Sequence, residues 1–334
     1  MNGAYMEIKL KSSLSQKKTL VILSLLCLLL GVLSILVGDM LLPFTGALLA
    51  LIFVFDGDKK RIGISTSVLL VLINALAIGL KVGLNLAGLE SVVFAVLFFI
   101  FFVKRREKSE AVFVLTVVCA IFSVINLALI PIIELNTLNL ADVLAYYEGF
   151  ISELRELYVQ TTYEAYAMMM SVRGIEVTES MVATVFDAQL SMVISYIVIV
   201  GFVLVGISMK TFDAVFGRIA EDKSPAVNWR FMTSNVFAYF YIALVVLSIL
   251  TSMSNGVLGI AVGNLYNIFM VVYAYVGFNY AVAVLSIKFK PLTAIIILLA
   301  ITLVTMSMAL GLLAAFGVLF TIRKNRELSF KEEQ

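Results

Sequence analysis

Apolar runs of near-transmembrane length follow one another along most of the chain, separated by short polar or charged links. They occupy residues 19–37, 40–55, 62–80, 86–103, 111–133, 190–209, 234–252, 256–285 and 292–320. A helix needs about 20 apolar residues to cross the hydrocarbon core of a bilayer, and a helical backbone meets its own hydrogen bonds there. The pattern therefore predicts an all-α fold, a polytopic transmembrane helical bundle of eight or nine membrane segments. The second run is short and holds Pro43, and the last two are long, so the boundaries stay open there.

Between the fifth and sixth runs the period changes character. Leu140, Leu144, Tyr147, Ile151, Leu154 and Tyr158 recur at spacings of four, three, four, three and four, which draws one apolar stripe along a helix. Residues 134–189 are thus predicted to form an amphipathic helical arm. Gly174 is expected to end its helix, and Thr178 to cap a second, short one. The arm carries Glu134, Asp142, Glu148, Glu153, Glu156, Glu164, Glu176, Glu179 and Asp187 against Arg155 and Arg173, a net charge of −7. Anionic head groups repel such a helix, so its stripe is expected to pack on the bundle or on a partner chain. Capping the outer face and gating a ligand are the two roles open to it.

Charge also sets orientation, because lysine and arginine collect on the cytoplasmic side. With a cytoplasmic N-terminus, the inner links hold 17 of the 24 basic residues and the outer ones only Lys81, Arg155 and Arg173. This places the chain in the cytoplasmic (cell) membrane with the arm extracytoplasmic. Nine crossings would, however, leave Arg323, Lys324, Arg326 and Lys331 outside. A broken rule at the tail, a reversal of the last run at Gly311, or an earlier run that does not cross fully would each account for it. The predicted organisation is a basic N-terminus (1–18), a five-span half (19–133), the arm (134–189), a C-terminal membrane half (190–320) and a charged tail (321–334). The first run is long and Gly38-Asp39-Met40 offers no small-x-small cleavage site, so it reads as a retained span.

Composition narrows the chemistry. With 62% hydrophobic and 14% charged residues and a mean hydropathy of +1.08, a soluble globular class is excluded. Histidine is absent and the two cysteines, Cys27 and Cys119, lie inside apolar runs, so no metal site, disulfide framework or cofactor is expected. No HExxH, GxSxG or Walker motif occurs, which argues against hydrolysis or ATP use by this chain. Charged side chains are confined to the span ends, with Asp39, Lys81, Glu90 and Asp187 at the outer ones. That lowers the expectation of autonomous ion-coupled transport.

The run 256–285 is the polar exception. At about 100° per residue, Tyr266, Tyr273, Gly277 and Tyr280 fall on one side, and Asn264, Asn267, Tyr275 and Asn279 roughly opposite. Asparagines in a span either hydrogen-bond to neighbouring helices or line a solute site. The asparagine side is the candidate ligand lining. Asn74, Asn126, Tyr196, Asn235, Tyr239 and Tyr241 could line the same interior. Small residues four apart, Ser307, Gly311 and Ala315 on the last run and Gly46 and Ala50 on the second, mark expected packing faces. Trp229 beside Arg230 is read as an anchor at the inner interface or a partner contact.

Residues 180–326 resemble the YybS-like family of polytopic bacterial membrane proteins. The likeness is carried by the link ending Asn228-Trp229-Arg230, by Asn267 and Gly277, and by the closing Phe320-Thr321-Ile322-Arg323-Lys324. Val276 stands where the family pattern has glutamine, and the acidic residue near the closing arginine is absent. The family is distantly similar to the S components of energy-coupling-factor transporters, which implies a vitamin-sized solute and an ATPase partner. The alanine face that those proteins present on their first span is missing between Thr19 and Asp39. Two functions are therefore expected beside the lipid bilayer as partner, with no nucleic acid. One is binding or helping to transport a small solute within the bundle, with a membrane or ATPase partner. The other is a non-transporting scaffold that recruits partners through the arm and the link 211–231.

Overall fold

A computed structural model describes residues 8–11, 15–56, 60–171, 176–225, 231, 233–251 and 256–332. Its regular structure is helical: α1 (Gln16–Val37), a 3-10 turn (Asp39–Leu41), α2 (Leu42–Phe55), α3 (Arg61–Gly79), α4 (Ala87–Val103), α5 (Lys108–Leu135), α6 (Leu140–Ser171), α7 (Glu179–Ser191), α8 (Val193–Ile219), α9 (Asn235–Thr251), α10 (Val257–Leu285) and α11 (Pro291–Glu332). Six of the described helices are long and apolar enough to cross a membrane: α1, α3, α5, α8, α10 and the part of α11 from Met308 to Asn325. The apolar helices α2, α4, α9 and Pro291–Thr305 are shorter. The protein is thus an all-α, multi-pass membrane protein. Two compact units divide it, one made of residues 1–193 and 200–230, the other of 194–199 and 231–334.

In the first unit α2 is the centre. Apart from Phe44, every residue of α2 is buried, as expected of a helix that is apolar all round. It runs antiparallel to α1: Gln16 Nε2 donates to the Phe55 carbonyl at one end (2.8 Å), and the Ser34 and Thr45 hydroxyls meet at the other (3.3 Å). Gly46 faces the Phe94 ring of α4 closely enough that a Cβ would lie 2.7 Å from it. A column of rings continues downward, Phe98 on Phe212 (4.6 Å), Phe102 on Phe212 (4.9 Å) and Phe55 on Phe216 (5.6 Å).

These rings explain a correction. The sixth run was expected to end at Met209 and pass into a link, but α8 stays helical to Ile219. Phe212 and Phe216, one turn apart, are fully buried, and their burial carries the helix onward. Its end is tied by Lys108 to Asp213 (2.8 Å) and by the N-terminal segment. There Leu10 and Ala220 form an antiparallel bridge, with Lys11 N donating to the Ile219 carbonyl and Glu221 N to the Lys9 carbonyl.

The opposite end of this unit is set by asparagines. Asn74 Oδ1 accepts from the Gly88 and Leu89 amides, and Asn126 Oδ1 from Leu86 N (2.8 Å). Asn85 Oδ1 accepts from Ala87 N (3.1 Å). These are the first amides of α4, which have no partner within their own helix. Glu90, expected near the outer end of its span, lies in the same first turn and is only 1% exposed.

The second unit is built on α10 and α11. Gly277 and Gly317 face each other, and Tyr273, Ala274, Leu313, Ala314 and Val318 pack around them with Ala238 and Tyr241 of α9. The expected face of Ser307, Gly311 and Ala315 is not the packed one: Gly311 has open space beside it and Ala315 is exposed, while the side chain of Ser307 lies outside the described residues. Leu313, Ala314, Gly317 and Val318 form the packed face instead. No break occurs at Gly311, and the helix continues through the charged tail to Glu332. Thr233 and Thr321 hydroxyls meet at 2.8 Å, and Asn325 Nδ2 donates to the Thr233 carbonyl and to Asn235 Oδ1.

Candidate functional site

α10 begins after Gly256 and runs 29 residues with no proline to interrupt it. Asn264 is buried, and its amide group is committed twice: Oδ1 accepts from Ser195 N (2.8 Å) and Nδ2 donates to the Ile260 carbonyl (2.9 Å). Ser195 lies in the first turn of α8, so Asn264 satisfies an amide that its own helix leaves open. Asn279 Nδ2 donates to the Tyr275 carbonyl (2.7 Å), one turn back on α10 itself. Asn267 is half-buried, and Tyr275 meets Phe231 edge-on, with centroids 5.8 Å apart.

The four do not converge. Asn264 and Asn267 share one turn, Tyr275 and Asn279 another. At a rise of 1.5 Å per residue, Asn264 and Asn279 lie about 22 Å apart along the helix. The other expected lining residues also scatter. Asn74 and Asn126 serve α4 in the first unit, Tyr196 and Tyr239 are exposed, and Asn235 accepts from Asn325. Trp229 and Arg230 lie outside the described residues.

The tyrosine side of α10 is closely packed. Tyr273 is fully buried and stacks on Tyr241 (5.2 Å), which stacks in turn on Tyr266 (6.1 Å). Tyr280 stacks on Phe320 (4.5 Å), and the Lys324 ammonium lies 5.5 Å from the same ring.

The arm offers a surface of a different kind. Thr178 Oγ1 accepts from Met181 N and so caps α7. α7 is held to α6 by a bidentate pair, Arg155 Nε to Asp187 Oδ1 (2.9 Å) and Nη2 to Oδ2 (3.1 Å), and by Tyr158 on Phe186 (5.4 Å). The hydrogen bond from Arg155 holds the Asp187 carboxyl below its ordinary pKa, and the reciprocal effect raises that of the guanidinium. Nearer the spans, the Tyr147 hydroxyl donates to the Leu127 carbonyl, and Tyr146 to Glu134 (2.9 Å).

The predicted stripe is only partly covered by these contacts. Of its residues Tyr147, Ile151 and Tyr158 are half-buried, but Leu140, Leu144 and Leu154 remain exposed. A row displaced to one side is open along its length: Phe150 is 48% exposed, Leu154 40%, Leu157 55% and Met168 76%. The stripe drawn from Leu140 to Tyr158 shares only Leu154 with this row. The added apolar positions at 150, 157 and 168 were its only signal in the sequence.

Among the described residues, no group of histidine, cysteine, aspartate and glutamate side chains could hold a metal ion. No protein-family model, no curated protein and no solved structure matches this chain.

Proposed function

We propose that this multi-pass membrane protein is a non-transporting interaction protein that recruits a partner through its extracytoplasmic arm. The observation that carries this reading is the open row Phe150, Leu154, Leu157 and Met168 on a helix held by the Arg155–Asp187 pair. Apolar side chains aligned on a fixed, water-facing helix favour a covering partner by the area they would remove from water. The solute-binding reading is weakened because Asn264 and Asn279, half of its lining, are committed to backbone groups. A catalytic role has no motif to support it.

Contacts within each unit support the sidedness expected from the charge distribution. The Leu10–Ala220 bridge supports a common side for the N-terminal segment and the end of α8, with Lys9, Lys11 and Lys223 there. The bonds of Thr321 and Asn325 to Thr233 and Asn235 bring Arg323 and Lys324 to the start of α9. That contact supports one common side for the start of α9 and the tail, and a tail on the cytoplasmic side obeys the charge rule. Membership of the YybS-like family is part of the same proposal. Gly277 and Phe320, two residues that carry the resemblance, both lie at the α10–α11 contact.

Native mass spectrometry of the protein released from its own membrane without detergent tests the function. The expected result is a retained protein partner, lost when Leu154→Asn and Leu157→Asn are combined. A retained small molecule with no protein would overturn the reading in favour of solute binding.

A further inference from the structure

Resting on the reading of the arm as a recruiting surface, the charge around the open row selects what covers it. Residues three and four apart are neighbours on a helix. Glu153 therefore lies beside both Phe150 and Leu157, and Glu164 beside Met168. Glu148, Glu153, Glu156 and Glu164 form no ion pair among the described residues, whereas Arg155 is engaged by Asp187. The apolar row is thus bordered by carboxylates that have no ion-pair partner among the described residues, on an arm of net charge −7.

We infer that the row is the docking face for a cationic amphipathic helix of another protein, whose apolar side covers Phe150, Leu154 and Leu157 while its lysines or arginines meet Glu153 and Glu164. A second copy of this chain would bring the same −7 and be repelled. An anionic bilayer surface is disfavoured for the same reason. A cationic helix gains both the apolar burial and the charge complementarity, in the groove-and-anchor mode used for amphipathic helices.

The test takes the full-length protein in nanodiscs of phosphatidylcholine. Its probe is a fluorescent peptide with leucines at i, i+3, i+4 and i+7 spacing and lysines elsewhere, and its counterpart carries glutamate for lysine. The lysine peptide is expected to bind, and to bind less well as salt is raised. Either Leu154→Asn with Leu157→Asn, or Glu153→Gln with Glu164→Gln, is expected to weaken it roughly tenfold, with the circular dichroism and melting temperature of the parent retained. Equal binding to empty nanodiscs would make the lipid surface the occupant and overturn the inference. Equal binding to both variant pairs would overturn it as well. Preference for the glutamate peptide would overturn the cationic partner while leaving the arm as a recruiting surface. Retention of the native partner in the preceding experiment despite these arm substitutions would sink the underlying reading itself.

Discussion

Gly277 and Gly317 meet backbone to backbone. A Cβ on Gly277 would lie 1.8 Å from the Leu313 carbonyl oxygen, and one on Gly317 would lie 2.0 Å from that of Tyr273. Each glycine therefore stands where only a hydrogen atom fits, and the obstacle is main chain that no side-chain rotation can clear.

A methyl group at either position has to push α10 and α11 apart. Gly277→Ala and Gly317→Ala are each expected to destabilise the second unit by about 1–3 kcal/mol or more, the range for overpacking a closed interior. Gly311→Ala, beside open space, is expected to be neutral or slightly stabilising through helix propensity. Unfolding in graded denaturing detergent checks the ranking, and equal midpoints for Gly277→Ala and Gly311→Ala would contradict it.

Asn74 ties together three backbone groups of the first unit. It accepts from the Gly88 and Leu89 amides and donates to the Asn85 carbonyl (2.7 Å). Removal leaves buried backbone groups unmet, at about 1–3 kcal/mol each. Asn74→Ala is expected to lower the melting temperature more than Asn279→Ala, whose amide serves one carbonyl on its own helix. Thermal melts of the two variants, measured in one lipid, decide it.

How far the sequence reaches can be seen in these same residues. The arm is legible because its spacing is local, and so is the cap at Thr178. Which part of the arm stays open is not, because α7 returns on it through Arg155 and Asp187, 32 positions apart. An asparagine in a span reads equally as site or as packing until its partner is known, and the partner of Asn264 is an amide 69 positions away. The short second run lacked the length of a span for a physical reason: α2 is surrounded by protein rather than lipid. The small-residue stripe on the last run misled because close approach needs a facing glycine, and Gly277 faces Gly317, not Gly311.

The joint between α6 and α7 is expected to respond to acid. The Asp187 carboxyl is held below its ordinary value by the Arg155 hydrogen bond, so the pair stabilises the arm fully above the unfolded carboxylate pKa of about 3.9. That stabilisation is lost as pH falls through the lower folded value. Exposure to water keeps the effect modest. Hydrogen exchange in α6 and α7 should be flat from neutral pH to about 5 and then quicken, beyond the intrinsic change of rate. Asp187→Asn should exchange faster at neutral pH and show no such step.

The contacts of the tail carry a prediction about sidedness. Thr321 and Asn325 reach Thr233 and Asn235, so the proposal puts this part of α11 on the same side of the membrane as the start of α9. Cys27 and Cys119 are buried, so a single introduced cysteine gives a readable label with little background. Lys324→Cys is expected to react with a membrane-impermeant maleimide only in everted vesicles, as Lys223→Cys does, whereas Leu138→Cys at the base of the arm reacts in intact cells. Labelling of Lys324→Cys from outside would overturn the common side proposed for the tail and the start of α9, and it would make the tail's basic residues an exception to the charge rule.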